Sequence, residues 1–404
     1  MLKIFYCTFA MLLITSCCSP KTESGVKNEF WINVDYMDEV EYCKNMGFSS
    51  YGEKEIEKYF KQIKDLGVTG VQWRVSATGH VMYKSKTATV FPGNNDLSKY
   101  RPGIQRMASI LQEIDPLEIA VREARKNDIK IYIWMTLSDE KGTSKDIENA
   151  MVPEILIKHP EYALLDKEGR PMLGTVCYNV PEVRKYKLDI IRELVEYKAD
   201  GIYLCTRTHC FYYNKDKDIQ YGYNKEIVDE YKKRYGKNIL KEDFDVNKWL
   251  EIRAEGLDTF MKDAAGIIHS AGQKVRLGIK TTQDENRGWP YGKAIMHWKS
   301  WVKNKWTDEI LVGQYINTPA TIKANMNAFK NLNAPDLKIY FWIQLFDYSK
   351  KSLIPLIQIE PQIKAISDAG GNGAVFHESV NLEENVKTFF DPIAWAYRKL
   401  NSAN

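Results

Sequence analysis

Short runs of β-branched and aromatic residues recur along the chain, each ending in polar residues and followed by a helical pattern. The first four are "EFWINVDY" at 29–36, "VTGVQWRVS" at 68–76, "IKIYIWMTLS" at 129–138 and "ADGIYLCT" at 199–206. The series continues with "KVRLGIKTT" at 274–282, "DEILVGQYIN" at 308–317, "LKIYFWIQLF" at 337–346 and "GGNGAVFHES" at 370–379. Amphipathic stretches lie between them, such as "DPLEIAVREARKN" at 115–127, where Asp-Pro opens a helix. About eight β/α units predict an α/β fold, the (β/α)8 TIM barrel, which needs about 250 residues plus insertions. An open doubly wound sheet is the alternative, but no glycine-rich phosphate loop follows an early strand. The barrel is expected as one domain over 29–404, with its enlarged loop insertion, 206–250, after strand four.

Working residues of such a barrel belong at the C-terminal ends of its strands, and alternate residues along each strand face the axis. The mixed, partly polar parity is assigned to the axis, because the other parity must meet apolar helices. This points Trp31, Asn33 and Asp35 inward from strand one, Gln72 and Arg74 from strand two, and Trp134 and Thr136 from strand three. Tyr203, Cys205 and Arg207 follow from strand four, and Gly278 and Lys280 from strand five. Strand six offers Tyr315 and Asn317, and strand seven Trp342 and Gln344. Strand eight is ambiguous, since His377 and Glu378 have opposite parity.

The N-terminus carries a different pattern. Lys3 precedes an apolar run from Ile4 to Ile14, too short to span a bilayer and shaped like a signal peptide. Ile14-Thr15-Ser16-Cys17 resembles a bacterial lipobox, after which Cys17 would be acylated; an ordinary secretory signal with a chance cysteine is the alternative. Residues 1–17 are thus expected to be a lipoprotein signal and 18–28 a polar, flexible tether. The implied location is the bacterial cell envelope, lipid-anchored at the outer membrane on its periplasmic or surface face.

Composition narrows the classes further. With 404 residues, 44% hydrophobic and 27% charged, the chain is globular with material for a large core. A formal net charge of +4 without a block of like charge gives no support to a nucleic-acid partner. Cys18, Cys43, Cys177, Cys205 and Cys210, left once Cys7 and Cys17 are set aside, have no paired spacing and are expected to be mostly buried thiols. Aromatic content is rich, with 24 Tyr and 10 Trp, which suits ring-shaped ligands and large cores alike.

"HPEYALLDKEGRP" and "YNVPEVRKYKLDIIRELVEYKADGIYL" resemble the glycosyl-hydrolase-like 10 family of bacterial (β/α) barrels. "GVTGVQWRVSATGHVMYKS" and "DPLEIAVREARKNDIKIYIWMTL" are similar to its second and third units, and "GNGAVFHES" to a later strand. "IQYGYNKEIVDEYKKRYGKNI" at 219–239 resembles a helix pair of related secreted barrels. The resemblance implies a glycan-active enzyme working on a polysaccharide or cell-wall glycan. Members of the family commonly end strand four with an Asp-Asp pair, where this chain has Cys205 and Thr206. An acid cannot be carried over to those positions.

Glycoside hydrolysis needs two carboxyl groups flanking the scissile bond. The strand-end candidates are Asp35, which has inward parity, and Glu378, which closes a glycine-flanked strand where burial would favour a proton donor. A helix cap or an ion pair is the competing role for either. Asp139-Glu140 and Asp284-Glu285 read as hydrated loop charges, and Asp347 as a helix cap. Arg74, Arg207 and Lys280 would converge on the mouth, either to pair with Asp35 or Glu378 or to favour a carboxylate- or sulfate-bearing ligand. Phe211, Tyr212, Tyr213, Tyr221 and Tyr223 form either a stacking wall for sugars or packing within the insertion.

The substrate-binding set expected from these arguments is Arg74, Trp134, Arg207, His209, Tyr212, Lys280, Asn317, Trp342, Gln344 and His377. Cys205, His209 and Cys210 are too few and too awkwardly spaced for a metal site, so neither metal nor cofactor is expected. Cys205 then fills the upper barrel as a small apolar side chain. The leading expectation is a glycoside hydrolase of a bacterial or dietary glycan, an anionic one if the cations face it. A non-catalytic glycan-binding lipoprotein is the second expectation, and a Schiff-base enzyme using a buried Lys280 the third.

Overall fold

The parallel strands form where the alternation predicts them: β1 (Glu29–Asp35), β2 (Gly70–Arg74), β3 (Lys130–Thr136), β4 (Gly201–Cys205), β5 (Lys274–Ile279), β6 (Glu309–Val312), β7 (Lys338–Gln344) and β8 (Gly373–His377). They pair in chain order, and β8 returns to β1 to close the barrel. The computed structural model describes residues 29–94, 96–99, 102–140, 151–206, 220–282, 286–287, 294–313, 317–347, 349–350 and 352–377. Cys17, Arg207, His209, Tyr212, Tyr315 and Glu378 lie outside the described residues, as do the expected signal and tether.

Helices return the chain between strands: α1 (Glu53–Asp65), α2 (Pro116–Lys126), α3 (Pro181–Val195), α4 (Val246–Ser270), α5 (Trp298–Lys303), α6 (Pro319–Lys330) and α7 (Leu356–Asp368). The Asp-Pro signal of α2 works as read. Asp115 accepts from the backbone N–H groups of Leu117 at 3.1 Å and Glu118 at 3.3 Å, while Pro116 takes a position that needs no donor. The β4–β5 connection carries the helix Lys225–Tyr235 before α4. Its aromatic residues pack on one another: Tyr221 is buried, and Tyr223 lies 5.1 Å from Trp249 and 6.4 Å from Phe244. Of the two roles open for Tyr223, packing within the insertion is the one observed. No helix among the described residues is long and apolar enough to cross a membrane.

The barrel interior follows the expected parity. Trp31, Tyr132, Trp134, Tyr203, Cys205, Leu311, Tyr340, Trp342 and Val375 form one buried cluster, separate from the outer core between strands and helices. On the neighbouring strand Tyr203 lies so close that a Cβ on Gly278 would come within 2.6 Å of its hydroxyl, so glycine is required there. Lower down, Arg276 is fully buried; its Nε donates to Glu309 Oε2 at 2.8 Å. Its guanidinium faces the rings of Trp31, Tyr132 and Tyr340 at 3.9, 4.4 and 4.1 Å. The described cysteines, Cys43, Cys177 and Cys205, are free and buried.

Candidate active site

Register brings the ends of β1, β2 and β3 side by side: Asp35 pairs with Arg74, and Arg74 with Trp134. Register partners in a parallel sheet share a face, so Asp35 and Arg74 meet at the top of the interior cluster, beside Trp134. Arg74 joins two carboxylates, Nη1 donating to Asp35 Oδ2 and Nη2 to Asp139 Oδ2, and its Nε donates to the Ser76 carbonyl at 2.9 Å. The guanidinium also lies 5.2 Å from the Trp134 ring. Burial works against its charge, but Asp35 and Asp139 outweigh that and hold its pKa above the ordinary arginine value. Arg74 is therefore cationic, and the buried triad carries a formal net charge of −1. Asp35 Oδ1 is buried without a hydrogen-bond partner among the described residues, which leaves one oxygen uncommitted.

Asp139 and Glu140 correct the expectation of hydrated loop charges: both are 3% exposed. Glu140 pairs with Lys187 on α3, itself buried, while Asp139 completes the Arg74 triad. The segment that carries them is tied down by backbone bonds from Gly79 N–H to the Asp139 carbonyl at 2.7 Å and from Glu140 N–H to the Gly174 carbonyl at 3.1 Å. The local pattern around Asp139 held no sign of this, because its partner stands 65 positions away on another strand.

Asn33 and Gln72 are register partners with 0% exposure, and no polar atom of either amide meets a partner among the described residues. They place unsatisfied polar groups just below the Asp35–Arg74 pair. On the adjoining side of the barrel, where β8 neighbours β1, Gln344 pairs in register with His377, and the rings of His377 and Trp342 lie 4.1 Å apart. Val375 belongs to the interior cluster, so alternation puts His377 on the inward side and resolves the ambiguity of β8.

Other expected ligand-holding residues end up in different settings. Lys280 follows the last residue of β5 and is exposed, which corrects its inward placement. The desolvation that a Schiff-base lysine needs is missing there. Asn317 lies five positions beyond β6 rather than on it; it is buried, and its Nδ2 donates to the Trp342 carbonyl at 2.6 Å. Gln344 spends its Nε2 on the Phe346 carbonyl at 2.8 Å and keeps a buried Oε1 without a partner among the described residues. Asp347 caps a turn, accepting from Ser349 N–H at 3.0 Å and Lys350 N–H at 3.2 Å, rather than the start of α7. At the end of β4, Cys205 is fully buried in the interior cluster and Thr206 Oγ1 donates to the Gly278 carbonyl at 2.6 Å.

The fold has known relatives. The glycoside hydrolase domain of PgaB (BpsB) from Bordetella bronchiseptica superposes with a TM-score of 0.55 at 11% identity, covering 91% of this chain and 98% of that one. The catalytic domain of a β-amylase from Paenibacillus polymyxa gives 0.55 at 10% identity, covering 93% of this chain and 98% of that one. An endo-β-1,4-mannanase from Thermotoga petrophila gives 0.50 at 11% identity, covering 94% of this chain and 78% of that one. Comparison with curated protein sequences finds no significant match. At these identities the structural likeness establishes the (β/α)8 barrel. The sequence pattern of the family described as glycosyl hydrolase-like 10 matches residues 31–347, which span β1 to the end of β7 and include Asp35, Arg74 and Asp139. The chain belongs to the glycosyl hydrolase-like 10 family.

Proposed function

We propose that this barrel hydrolyses glycosidic bonds in a bacterial or dietary glycan. The observation that carries the reading is the pair of buried carboxylates, Asp35 and Asp139, gathered on one arginine at the C-terminal mouth of the barrel. Asp35, with Oδ1 uncommitted, is the carboxylate that attacks the anomeric carbon or activates water. Its place against the Arg74 guanidinium suits it to the role of nucleophile or base. Glu378, one residue beyond inward-facing His377, is the proposed proton donor. Trp134, Trp342, Gln344 and His377 line the sugar-binding side, with Arg207, His209 and Tyr212 contributed by the loop after β4.

A second reading, a glycan-binding protein without turnover, is favoured by the end of β4. There the family's acids are replaced by a buried thiol and by a hydroxyl already bonded to Gly278. A panel of glycans with product analysis separates the two. Under the hydrolytic reading, Asp35→Asn and Glu378→Gln each lower turnover by about 10²–10⁴-fold with binding retained. Losses below about tenfold remove these residues from the chemistry. Saturable binding of glycans with no product from any of them selects the second reading.

The protein is further proposed to be lipid-anchored in the cell envelope through Cys17. Cys17→Ala is expected to release it from the membrane fraction or block signal processing, whereas Cys18→Ala does neither. Equal membrane retention of both variants would rule the anchor out.

A further inference from the structure

Beside the Arg74 triad, a second cavity opens between α4 and the segments that leave β3 and β4. Ser138, which directly precedes Asp139 of the triad, lines it from the first segment, and Thr206 from the second. Most of the remaining wall is apolar. Leu164 and Val176 come from the antiparallel strands Ala163–Leu165 and Pro171–Val176, Leu257 from α4 and Met296 from the segment before α5. The cavity volume is about 90 Å³. One water needs about 10–15 Å³ of such volume and benzene enters an apolar cavity of about 150 Å³, so a group of about three to five heavy atoms fits here.

The polar side chains of the wall decide what that group can be. The Tyr178 hydroxyl donates to the Leu137 carbonyl at 2.7 Å, Asn179 Nδ2 to the Ile252 carbonyl at 2.7 Å and Thr206 Oγ1 to the Gly278 carbonyl at 2.6 Å. Arg253 is also in the wall, with its guanidinium 4.6 Å from the Trp249 ring, and is engaged by further neighbours. These groups are spent on the protein itself and fasten the wall to its surroundings. Ser138 differs, being half-buried with a hydroxyl that makes no hydrogen bond to the described residues. A carboxylate in this cavity would have to draw Arg253 from its neighbours and shed its own hydration. A neutral group with one acceptor needs neither, since its carbons meet the apolar wall and its acceptor the Ser138 hydroxyl.

We propose that this cavity is a subsite for a short neutral acyl substituent of the size of an acetyl group, with its methyl end against Leu164, Val176 and Leu257 and its carbonyl oxygen accepting from Ser138. The inference deepens the glycan reading and rests on it in one respect. Ser138 and Asp139 are consecutive, so a sugar ring held over the Asp35–Arg74–Asp139 triad turns one substituent toward this wall. The substrate class is then an acylated glycan, an ester or amide, rather than one with a free hydroxyl or amino group at that position. A free hydroxyl leaves the apolar wall unfilled, and an ammonium loses its hydration there with Arg253, a like charge, beside it.

N-methylacetamide is the probe, added to the full-length protein while the Leu, Val and Ile methyl resonances are followed by NMR. It is expected to shift the methyls of Val176 and Leu257 saturably, whereas acetate and methylammonium, its two halves as ions, do not. Ser138→Ala is expected to weaken the binding by about threefold to tenfold, the worth of one net hydrogen bond. Leu257→Trp, which fills the cavity and leaves Ser138 in place, abolishes the response read at Val176. Should that variant fail to fold, Ser138→Ala and the two ions carry the test. Equal shifts from acetate, undiminished affinity in Ser138→Ala, an undiminished response in folded Leu257→Trp, or no shift up to about 100 mM probe (a Kd too weak for a built site) would overturn the subsite. Cleavage assays keep the two readings apart. Binding of N-methylacetamide without turnover of any glycan overturns hydrolysis alone; turnover without that binding overturns the subsite alone.

Discussion

Arg74 decides the electrostatics of the barrel mouth, because two buried carboxylates share it. A buried ion pair adds little net stability, but removing one partner exposes the full cost of the other. Arg74→Met leaves both Asp35 and Asp139 without their cation and is expected to destabilise the fold by about 3–5 kcal/mol in denaturant titration. Adding Asp139→Asn to that variant should restore part of the loss, since one buried charge then disappears. A loss within about 0.5 kcal/mol for Arg74→Met would mean the triad is solvated and our account of it is wrong. Asn33 and Gln72 belong to the same argument: two fully buried amides without hydrogen-bond partners among the described residues cost stability.

At the level of elements, α4 and α5 are tied through His297, which precedes α5. Its Nδ1 lies 2.7 Å from Asp258 Oδ2 and its Nε2 3.2 Å from Glu251 Oε2, both on α4, while Trp301 Nε1 donates to Asp258 Oδ1 at 2.7 Å. Burial lowers the His297 pKa, but the Asp258 and Glu251 carboxylates more than offset it, so the folded value lies above the ordinary 6.5. A raised folded value means that the protonated imidazole stabilises the fold. That contribution is complete below the unfolded pKa of 6.5 and is lost as pH rises through the folded one. Melting temperatures of the wild type and His297→Gln, measured from about pH 5.5 to about pH 9, should therefore differ most at the acid end and converge at the alkaline end. A difference independent of pH would assign the residue a packing role only.

For the molecule as a whole, closure of the barrel depends on what fills it. Arg276 sits among Trp31, Tyr132 and Tyr340, and Glu309 binds it together with the Tyr132 hydroxyl, which donates to Oε1 at 2.9 Å. Glu309→Gln removes the only carboxylate partner the described residues give Arg276 by hydrogen bond and should cost about 3–5 kcal/mol; adding Arg276→Met should recover much of it. Unfolding midpoints of the two variants check this, and equal destabilisation by both would refute the charge argument. The strands, their order and the inward set from Trp31 to Trp342 were legible in the sequence, because a period-two alternation with Asp-Pro and glycine punctuation is a local signal. The inward parity of Asp35 and Arg74 was legible for the same reason. Asp139 was not, since its role depends on Arg74 arriving from a neighbouring strand, and a loop carboxylate looks alike whether hydrated or paired. Lys280 misled because alternation was carried one residue past Ile279, where the ladder of β5 ends. Local pattern thus determines which residues form strands and which side they face; only closure of the barrel determines which charges, once buried, find each other.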